Sequence, residues 1–189
     1  MTQMAVASMN REETAAGAVN PVDPMKFRAA MGSFATGVAI ITTRTAEASH
    51  GMAVNSLTSV SLDPCMVLFC VKHGSKTGGA IRERGAFAVN LLSRDQHHLV
   101  KQFCANPEDR FAGVPMVLSE CGLPVLAGSL AHLCCTIADV HVSGDHDIVV
   151  GRVHALGEQG GDPLVFFRGR YGGYHAHPPG EPSGQRMAG

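Results

Sequence analysis

Hydroxyl and amide side chains are concentrated in one short segment of this sequence. Residues 55–61 run Asn-Ser-Leu-Thr-Ser-Val-Ser. In an extended chain alternate residues share one face, so this segment would present a row of hydrogen-bond donors and acceptors. Such a row suits the edge of a planar heteroaromatic ring, whose carbonyl groups and ring nitrogens need fixed partners. A solvated strand face is the alternative interpretation of the same pattern.

A second segment, residues 75–79, combines two hydroxyls and a cation with small residues, as Ser-Lys-Thr-Gly-Gly. It lies at a predicted helix start, where unpaired backbone N–H groups and the helix dipole favour an anion. The Gly-x4-Gly-Lys spacing of a Walker A loop is missing. The two hypotheses for this segment are therefore an anion site of another kind and a plain N-cap.

Three further side chains lie near predicted turns or loop ends. His146 follows Gly144 and Asp145 between two long strands, and histidine is the side chain best suited to move a proton near neutral pH. Arg110 and Tyr171 add a guanidinium and a phenol. The alternative for each is an ordinary surface or packing role.

Several other chemistries have no support in the sequence. No Cys-x-x-Cys, His-Glu-x-x-His or comparable ligand spacing is present, so we expect no metal site. A Gly-x-Ser-x-Gly nucleophile elbow is also missing. Without a Gly-x-Gly-x-x-Gly fingerprint, a nicotinamide would have to bind in a fold other than the Rossmann fold.

Composition limits the class of protein. The 189 residues carry 15 Lys+Arg against 16 Asp+Glu, and 45% of them are hydrophobic while 16% are charged. This balance predicts one compact domain, and it argues against a disordered chain, a nucleic-acid partner and a membrane surface. The first 19 residues lack the apolar run of a signal peptide, and six cysteines in mostly apolar surroundings predict small buried thiols. We therefore predict a cytoplasmic protein.

Many strands and few helices are predicted to position the candidate residues. Asp23 and Pro24 predict a helix start, with Phe27, Met31 and Phe34 on one apolar face that ends near Gly37. The apolar run at 66–71 predicts a strand covered on both faces. The remaining predicted elements are strands at 38–43, within 51–71 in two pieces broken at 62–64, at 87–92, 130–142, 146–157 and 163–168, and helices from Ser75 to Gly85 and from Ser93 through Phe103.

Residues 1–20 are predicted to be a flexible arm, residues 21–171 the domain, and residues 172–189 a flexible tail. Short turns between many strands predict a mainly β fold, a closed or nearly closed barrel with a few peripheral helices. Regular alternation of strands and helices, which a doubly wound fold requires, is absent from the pattern.

The order of five motifs resembles the flavin reductase family, the short NAD(P)H:flavin oxidoreductases of two-component monooxygenases. The resemblance runs from about Asp23 to Tyr171. Cys65 stands where the family commonly has a second proline, and Met52 where threonine or alanine is more usual. The motifs are Phe-Ala-Thr-Gly-Val at 34–38, residues 51–64, Ser-Lys-Thr at 75–77, Phe-Ala-Val-Asn at 87–90 and Gly-Asp-His at 144–146.

This resemblance implies an FMN-binding split β-barrel that forms a homodimer, with the flavin near the subunit contact. It also implies roles for individual residues. Asn55, Ser56, Leu57, Thr58 and Ser59 would contact the isoalloxazine and ribityl chain; Ser75, Lys76 and Thr77 would hold the phosphate; Asn90 would lie close to the flavin; Arg110 and Tyr171 would be further contacts; and His146 would face the nicotinamide.

The activity that the resemblance implies is NAD(P)H-dependent reduction of FMN or FAD by hydride transfer to flavin N5. Reduced flavin would then pass to a partner monooxygenase. The alternatives are a non-catalytic flavin carrier or redox sensor on the same barrel, and an oxidase or monooxygenase that acts on an organic substrate. The choice between FMN and FAD stays open, and the lack of an obvious arginine cluster favours NADH over NADPH.

Overall fold

Strands dominate the fold, as the sequence predicts. The computed structural model describes residues 21–105 and 109–176. The predicted arm, residues 1–20, and residues 177–189 of the predicted tail lie outside that part of the chain. The helices are α1 Pro24–Met31, α2 Lys76–Arg84 and α3 His97–Cys104, and the strands are β1 Thr36–Gly37, β2 Ala39–Arg44, β3 Ser49–Val54, β4 Thr58–Leu62, β5 Cys65–Lys72, β6 Ala86–Leu91, β7 Met116–Leu118, β8 Pro124–Leu126, β9 Ala131–Ser143, β10 His146–Glu158, β11 Val165–Phe167 and β12 Arg170–Gly172.

Seven of these strands form one antiparallel sheet in the order β3-β2-β6-β9-β10-β5-β4. Its two edges, β3 and β4, are consecutive in the chain and are joined by residues 55–57. In that connection the Ser56 Oγ accepts a hydrogen bond of 3.0 Å from the N–H of Cys70 on β5. This bond extends the pairing of β4 with β5 beyond Thr58, and among the described residues no backbone ladder joins the two edges β3 and β4. The predicted split barrel is confirmed.

The main core lies on the inner face of this sheet. Phe69 of β5 and Phe87 of β6 are fully buried, and their rings meet edge to face with centroids 5.0 Å apart. Gly151 of β10 faces Phe87, and a Cβ there would overlap the ring. Burial of such side chains supplies the main driving force for closing the sheet.

Local signals predict the helices beside the sheet correctly. Ser75 caps α2, with its Oγ accepting from the N–H of Gly78 at 3.2 Å, and Gly85 ends it at φ +69°. The Ser93 N–H donates to the Gln96 Oε1 at 3.1 Å and opens the turn that leads into α3. Both helices are encoded by contacts within a few residues, which is why the sequence alone predicts them.

The predicted extent of the first helix is wrong. α1 ends at Met31, and the chain then turns into β1, which pairs with β11. The predicted apolar face is exposed, with 60% of Phe27, 52% of Met31 and 68% of Phe34 accessible. The apolar side chains do recur with the helical period, but no other part of the described chain covers the face that they form.

Two predictions for residues 51–71 are also corrected. This stretch holds β3, β4 and β5, and residues 55–57 belong to no strand, so the predicted continuous polar face is divided in two. On β5 the buried positions alternate with half-buried ones, so only one face lies in the core. Downstream, the sequence analysis predicts no strand between Phe103 and residue 130, whereas the structure has the hairpin of β7 and β8 there.

The thiols are only partly buried. Cys134 and Cys135 are buried, and burial raises the pKa of Cys135 to about 12. Cys65, Cys104 and Cys121 are exposed, contrary to the prediction of buried thiols. All six cysteines are unpaired.

A buried carboxylate joins α2 to β10. Asp147 is 2% exposed, and its carboxylate oxygens contact the Arg82 guanidinium and the His73 Nε2, the latter at 3.2 Å. The Arg82 hydrogen bond holds the pKa of the Asp147 carboxyl below its usual range. This contact fixes the start of β10 against the helix.

The variant Asp147→Asn tests this contact. Because the folded pKa lies below the unfolded value, the ionised carboxylate stabilises the fold at neutral pH and loses that effect as the pH falls through the folded pKa. We expect the melting temperature of the variant to lie below wild type at pH 7, with a gap that narrows below about pH 4. Thermal melts followed by circular dichroism from pH 3 to pH 7 measure this gap.

Asp145→Asn is the matched control, because Asp145 is two residues away and its side chain is 76% exposed. It should move the melting temperature much less. Equal losses for the two variants, or a gap for Asp147→Asn that persists in acid, would refute the assignment.

Candidate functional site

A small apolar slot lies at the carboxyl end of β3. It has a volume of about 170 Å³, and Thr36, Asn55, Leu57 and Leu164 are among the residues that line it. The Oγ1 of Thr36 is buried without a hydrogen-bond partner among the described residues. The Ser129 Oγ is also buried and unpaired among the described residues, but of these two hydroxyls Thr36 is the one that lines the slot, where its oxygen is available to a ligand.

A larger cleft lies at the amino end of the same strand. Its volume is about 720 Å³, and its walls include Gly51, Lys76, Thr77 and Arg110. Gly51 and Asn55 are four residues apart, which corresponds to about 13 Å of extended strand. Slot and cleft thus lie toward opposite ends of the edge strand β3.

The backbone carbonyl of Gly51 organises the cleft. Its oxygen accepts from the Thr77 Oγ1 at 3.0 Å and from the Arg110 Nη1 at 2.6 Å. A Cβ on Gly51 would lie 2.5 Å from the Phe103 ring, so only glycine fits here. The carbonyl therefore fixes both the start of α2 and the guanidinium.

The start of α2 has the chemistry of an anion site. Ser75 is its N-cap and Lys76 its first residue, and the first turn of any helix leaves N–H groups without intrahelical partners. The dipole adds a partial positive charge. With Lys76 exposed at the cleft and Arg110 beside it, three sources of positive potential converge there.

Thr77 differs from its neighbours, since it is 2% exposed and its hydroxyl proton is directed to Gly51. Its side chain ties α2 to β3. Any contact it makes with an anion would come from its backbone N–H.

His146 begins β10, where it pairs with Lys72, three residues before Ser75. Its Nδ1 lies 2.8 Å from the Asp145 Oδ1, and this hydrogen bond lowers the pKa of the Asp145 carboxyl. An ionised carboxylate only accepts, so Nδ1 carries the proton and Nε2 is left for another partner. The ring is 42% exposed.

Asn90 is placed in the core, away from slot and cleft. It is fully buried; its Nδ2 donates to the Ile40 carbonyl at 3.0 Å and the Thr42 Oγ1 at 3.1 Å, and its Oδ1 accepts from the Leu126 N–H at 2.8 Å. These bonds connect β6 to β2 and β8. The structure gives this residue a structural role, with no exposed atom for a flavin.

Some of the other predicted residues line the slot or the cleft, and the rest lie outside both. Asn55 and Leu57 meet at the slot, and Lys76, Thr77 and Arg110 meet at the cleft. Thr58 and Ser59 are exposed on edge strand β4, and Ser56 is used by the Cys70 contact. Tyr171 is on β12, 47% exposed, with its ring centroid 5.3 Å from that of Phe166.

Several residues that line the slot and the cleft were not predicted from the sequence, among them Thr36 and His50. Thr36 belongs to the Phe-Ala-Thr-Gly-Val motif, and a hydroxyl between small residues was the signal that could have marked it. His50 lines the cleft from β3, and the sequence carried no signal for it because the other walls of the cleft come from distant segments at 76–77 and 109–116.

Metal and membrane features are missing from the described part of the chain. Residues 21–105 and 109–176 contain no group of three His, Cys, Asp or Glu side chains able to hold a metal ion. Over the same ranges no helix has the length and apolarity needed to cross a membrane.

The chain is similar in sequence and in structure to known flavin reductases and to reductase components of monooxygenases. Residues 31–175 match the family described as "Flavin reductase like domain". The "Flavin-dependent monooxygenase, reductase subunit HsaB" of Rhodococcus jostii is 42% identical over 165 residues, 86% of this chain and 85% of that protein. An "NADH-dependent flavin reductase" of Rhodococcus sp is 41% identical over 162 residues, 82% of this chain and 90% of that protein. The crystal structure of nitrilotriacetate monooxygenase component B from Mycobacterium thermoresistibile has a TM-score of 0.78 at 41% identity, covering 86% of this chain and 92% of that one.

The variant Asn90→Ala separates the structural role of this residue from the predicted ligand contact. It removes three buried hydrogen bonds and leaves the Leu126 N–H unpaired, so we expect a loss of roughly 3 kcal/mol in the free energy of unfolding. Urea denaturation measures that loss. Flavin affinity, measured by fluorescence titration under conditions where the variant is folded, should stay at the wild-type level.

Asn55→Ala is the control, since Asn55 is exposed at the slot. It should weaken flavin binding with little change in stability. A folded Asn90→Ala protein that has lost flavin affinity while Asn55→Ala keeps it would reverse our assignment.

Proposed function

This chain belongs to the flavin reductase family, and we propose that slot, strand β3 and cleft together hold the flavin that it reduces with NADH. The protein is an NAD(P)H-dependent flavin reductase that supplies reduced flavin to a monooxygenase. The choice of NADH is supported by the name of the Rhodococcus sp relative. The monooxygenase partner is supported by the relatives named as reductase subunit and component B.

One observation carries the assignment of the flavin site. The buried, unpartnered Thr36 hydroxyl lies in an apolar slot at one end of β3, and uncompensated cations lie in the cleft at the other. A flavin has this polarity, with a flat, largely apolar ring system at one end and a phosphate at the other. The residues present therefore fit the group.

The slot is proposed to bind the flavin ring and the cleft to bind the phosphate. Thr36 and Asn55 hydrogen-bond the polar edge of the ring, while Leu57 contacts its face. The helix start at Ser75 and the side chains of Lys76 and Arg110 bind the phosphate through charge-assisted hydrogen bonds. A bound flavin supplies the redox chemistry, because its N5 accepts hydride from C4 of a reduced nicotinamide.

His146 is proposed to orient the nicotinamide. With Nδ1 held by Asp145, its Nε2 is directed by a fixed ring and accepts a hydrogen bond from the carboxamide N–H of the nucleotide. A correctly oriented ring raises the rate of transfer because orientational freedom is lost before the reaction. The protein then needs no further acid or base for the hydride step.

Oxidation of NADH in the presence of FMN or FAD tests the proposal. We expect the absorbance of reduced nicotinamide to fall only when a flavin is present, and faster with NADH than with NADPH. Flavin that stays bound and is not reduced by either nucleotide would instead identify a carrier or sensor.

In single-turnover experiments His146→Ala should slow flavin reduction about 10- to 100-fold, while the Kd for flavin stays within about twofold of wild type. His141→Ala is the control, because His141 is an exposed histidine on β9 of the same hairpin. An unchanged reduction rate for His146→Ala would remove it from the catalytic machinery.

We also propose that two copies of the chain pair through α1 and the segment after it. No residue of α1 is buried, and Met25, Phe27, Met31 and Phe34 are each more than half exposed. Phe27 and Met31 are four residues apart and share one face of the helix, and exposed apolar side chains that share a face are typical of a protein contact. Phe34 is two residues before Thr36, so a second copy seated there would adjoin the slot.

The double variant Phe27→Glu with Phe34→Glu should turn the dimer into a monomer in light scattering coupled to gel filtration. Folding should persist, because neither side chain packs in the core. Val117→Glu, on an exposed residue of β7, serves as the control and should remain dimeric. A wild-type protein that is monomeric at micromolar concentration would overturn the dimer.

A further inference from the structure

The cleft beside β3 is larger than a flavin phosphate requires. Lys76 and Arg110 lie at its α2 side, but its walls continue to Ser49, Phe111 and Met116. FMN held at Ser75 would leave this continuation unused. The function proposed above therefore leaves a second binding volume next to the phosphate position.

The charge of the cleft favours more than one phosphate group. Among the ion pairs of the described residues, none involves Lys76 or Arg110. Arg110 is fixed by the Gly51 carbonyl, so it is presented without further ordering. The one carboxylate in the lining, Asp109, accepts from the Phe111 N–H at 2.7 Å and is exposed at the rim.

The far wall suits a flat heteroaromatic ring. Phe111 is half-buried and rests edge to face on Phe103, with ring centroids 5.1 Å apart. This contact fixes the plane of the Phe111 ring. Met116 is 37% exposed, and its thioether is a polarizable partner for an aromatic face. Stacking on aromatic side chains is the usual way in which proteins bind a purine base.

We propose that this cleft binds an adenosine diphosphate group, and that FAD is the flavin that supplies it. The diphosphate lies between Lys76 and Arg110, and the adenine lies against Phe111 and Met116. FAD is the favoured source because its second phosphate is covalently continuous with the first, which the start of α2 binds. The inference rests on the proposed flavin site and specifies which flavin that site prefers.

Equilibrium titrations without nucleotide substrate test the proposal directly. Binding of riboflavin, FMN and FAD is followed by fluorescence, and ADP is added as a competitor. We expect FAD to bind at least about tenfold more tightly than FMN, and ADP to compete with FAD while leaving riboflavin bound. FMN affinity equal to or above that for FAD would overturn the assignment.

A charge placed on the far wall gives a second test. Met116→Glu puts a carboxylate at the proposed adenine position, on the wall that continues from the diphosphate, and should weaken FAD about tenfold, while FMN changes by less than about twofold. Val117→Glu is the matched control, because neighbouring residues of a strand face opposite sides and Val117 is not part of the lining. Ser49→Glu, on the opposite wall, repeats the test should Met116→Glu not fold. FAD binding that neither cleft variant alters would refute the proposal.

A third experiment distinguishes FAD from NADH as the source of the adenosine diphosphate group. NADH also carries adenosine diphosphate, whereas reduced nicotinamide mononucleotide lacks it. If Met116→Glu raises KM for NADH alone and leaves FAD affinity unchanged, the cleft serves the nucleotide and the FAD assignment is wrong. The two proposals can fail independently. If the protein is not a flavin reductase, no flavin-dependent oxidation of NADH will be seen, but the binding titrations will still show whether the cleft binds FAD.

Discussion

The edge position of β3 is the constraint on which the site depends. An edge strand normally exposes unpaired backbone groups that invite another strand. Here the chain leaves β3 at Val54 and crosses through residues 55–57 to β4, and among the described residues no strand ladder joins these two edges. A closed ladder would remove the space beside β3. The split in the barrel thus leaves this edge of β3 open, as the proposed flavin position requires.

The same strand also sets the electrostatics of the site. The carbonyl of Gly51 binds Thr77 and Arg110, so one backbone atom holds both the helix start and the guanidinium in place. The whole chain has a formal charge of only −1, and the cationic character of the cleft comes from placement of a few groups. A phosphate bound there meets donors that are already ordered, which lowers the entropy lost on binding.

Short-range signals were predictable from the sequence and long-range ones were not. Ser75, Gly85 and Ser93 fix helix ends through contacts within a few residues, so α2 and α3 could be predicted. The periodic pattern of Phe27, Met31 and Phe34 predicted a core face, but whether an apolar face is covered depends on the rest of the chain. Asn90 could not be separated from a ligand-binding amide, because its partners are 36 to 50 residues away. The role of Thr36 could not be predicted for the same reason, because its hydroxyl is left without a hydrogen-bond partner only once the chain has folded.

Strand geometry explains how one segment can anchor the fold and also carry the histidine that is proposed to orient the nicotinamide. His146 and Asp147 are neighbours at the start of β10, and neighbouring residues of a strand point to opposite faces. Asp147 points inward to Arg82 of α2, the helix whose first turn carries Ser75 and Lys76. His146 consequently points outward, at a position fixed relative to the proposed phosphate site. A shift of one residue in the register of β10 would bury the imidazole and expose the carboxylate, so the buried ion pair specifies the register that the proposed hydride-transfer geometry requires.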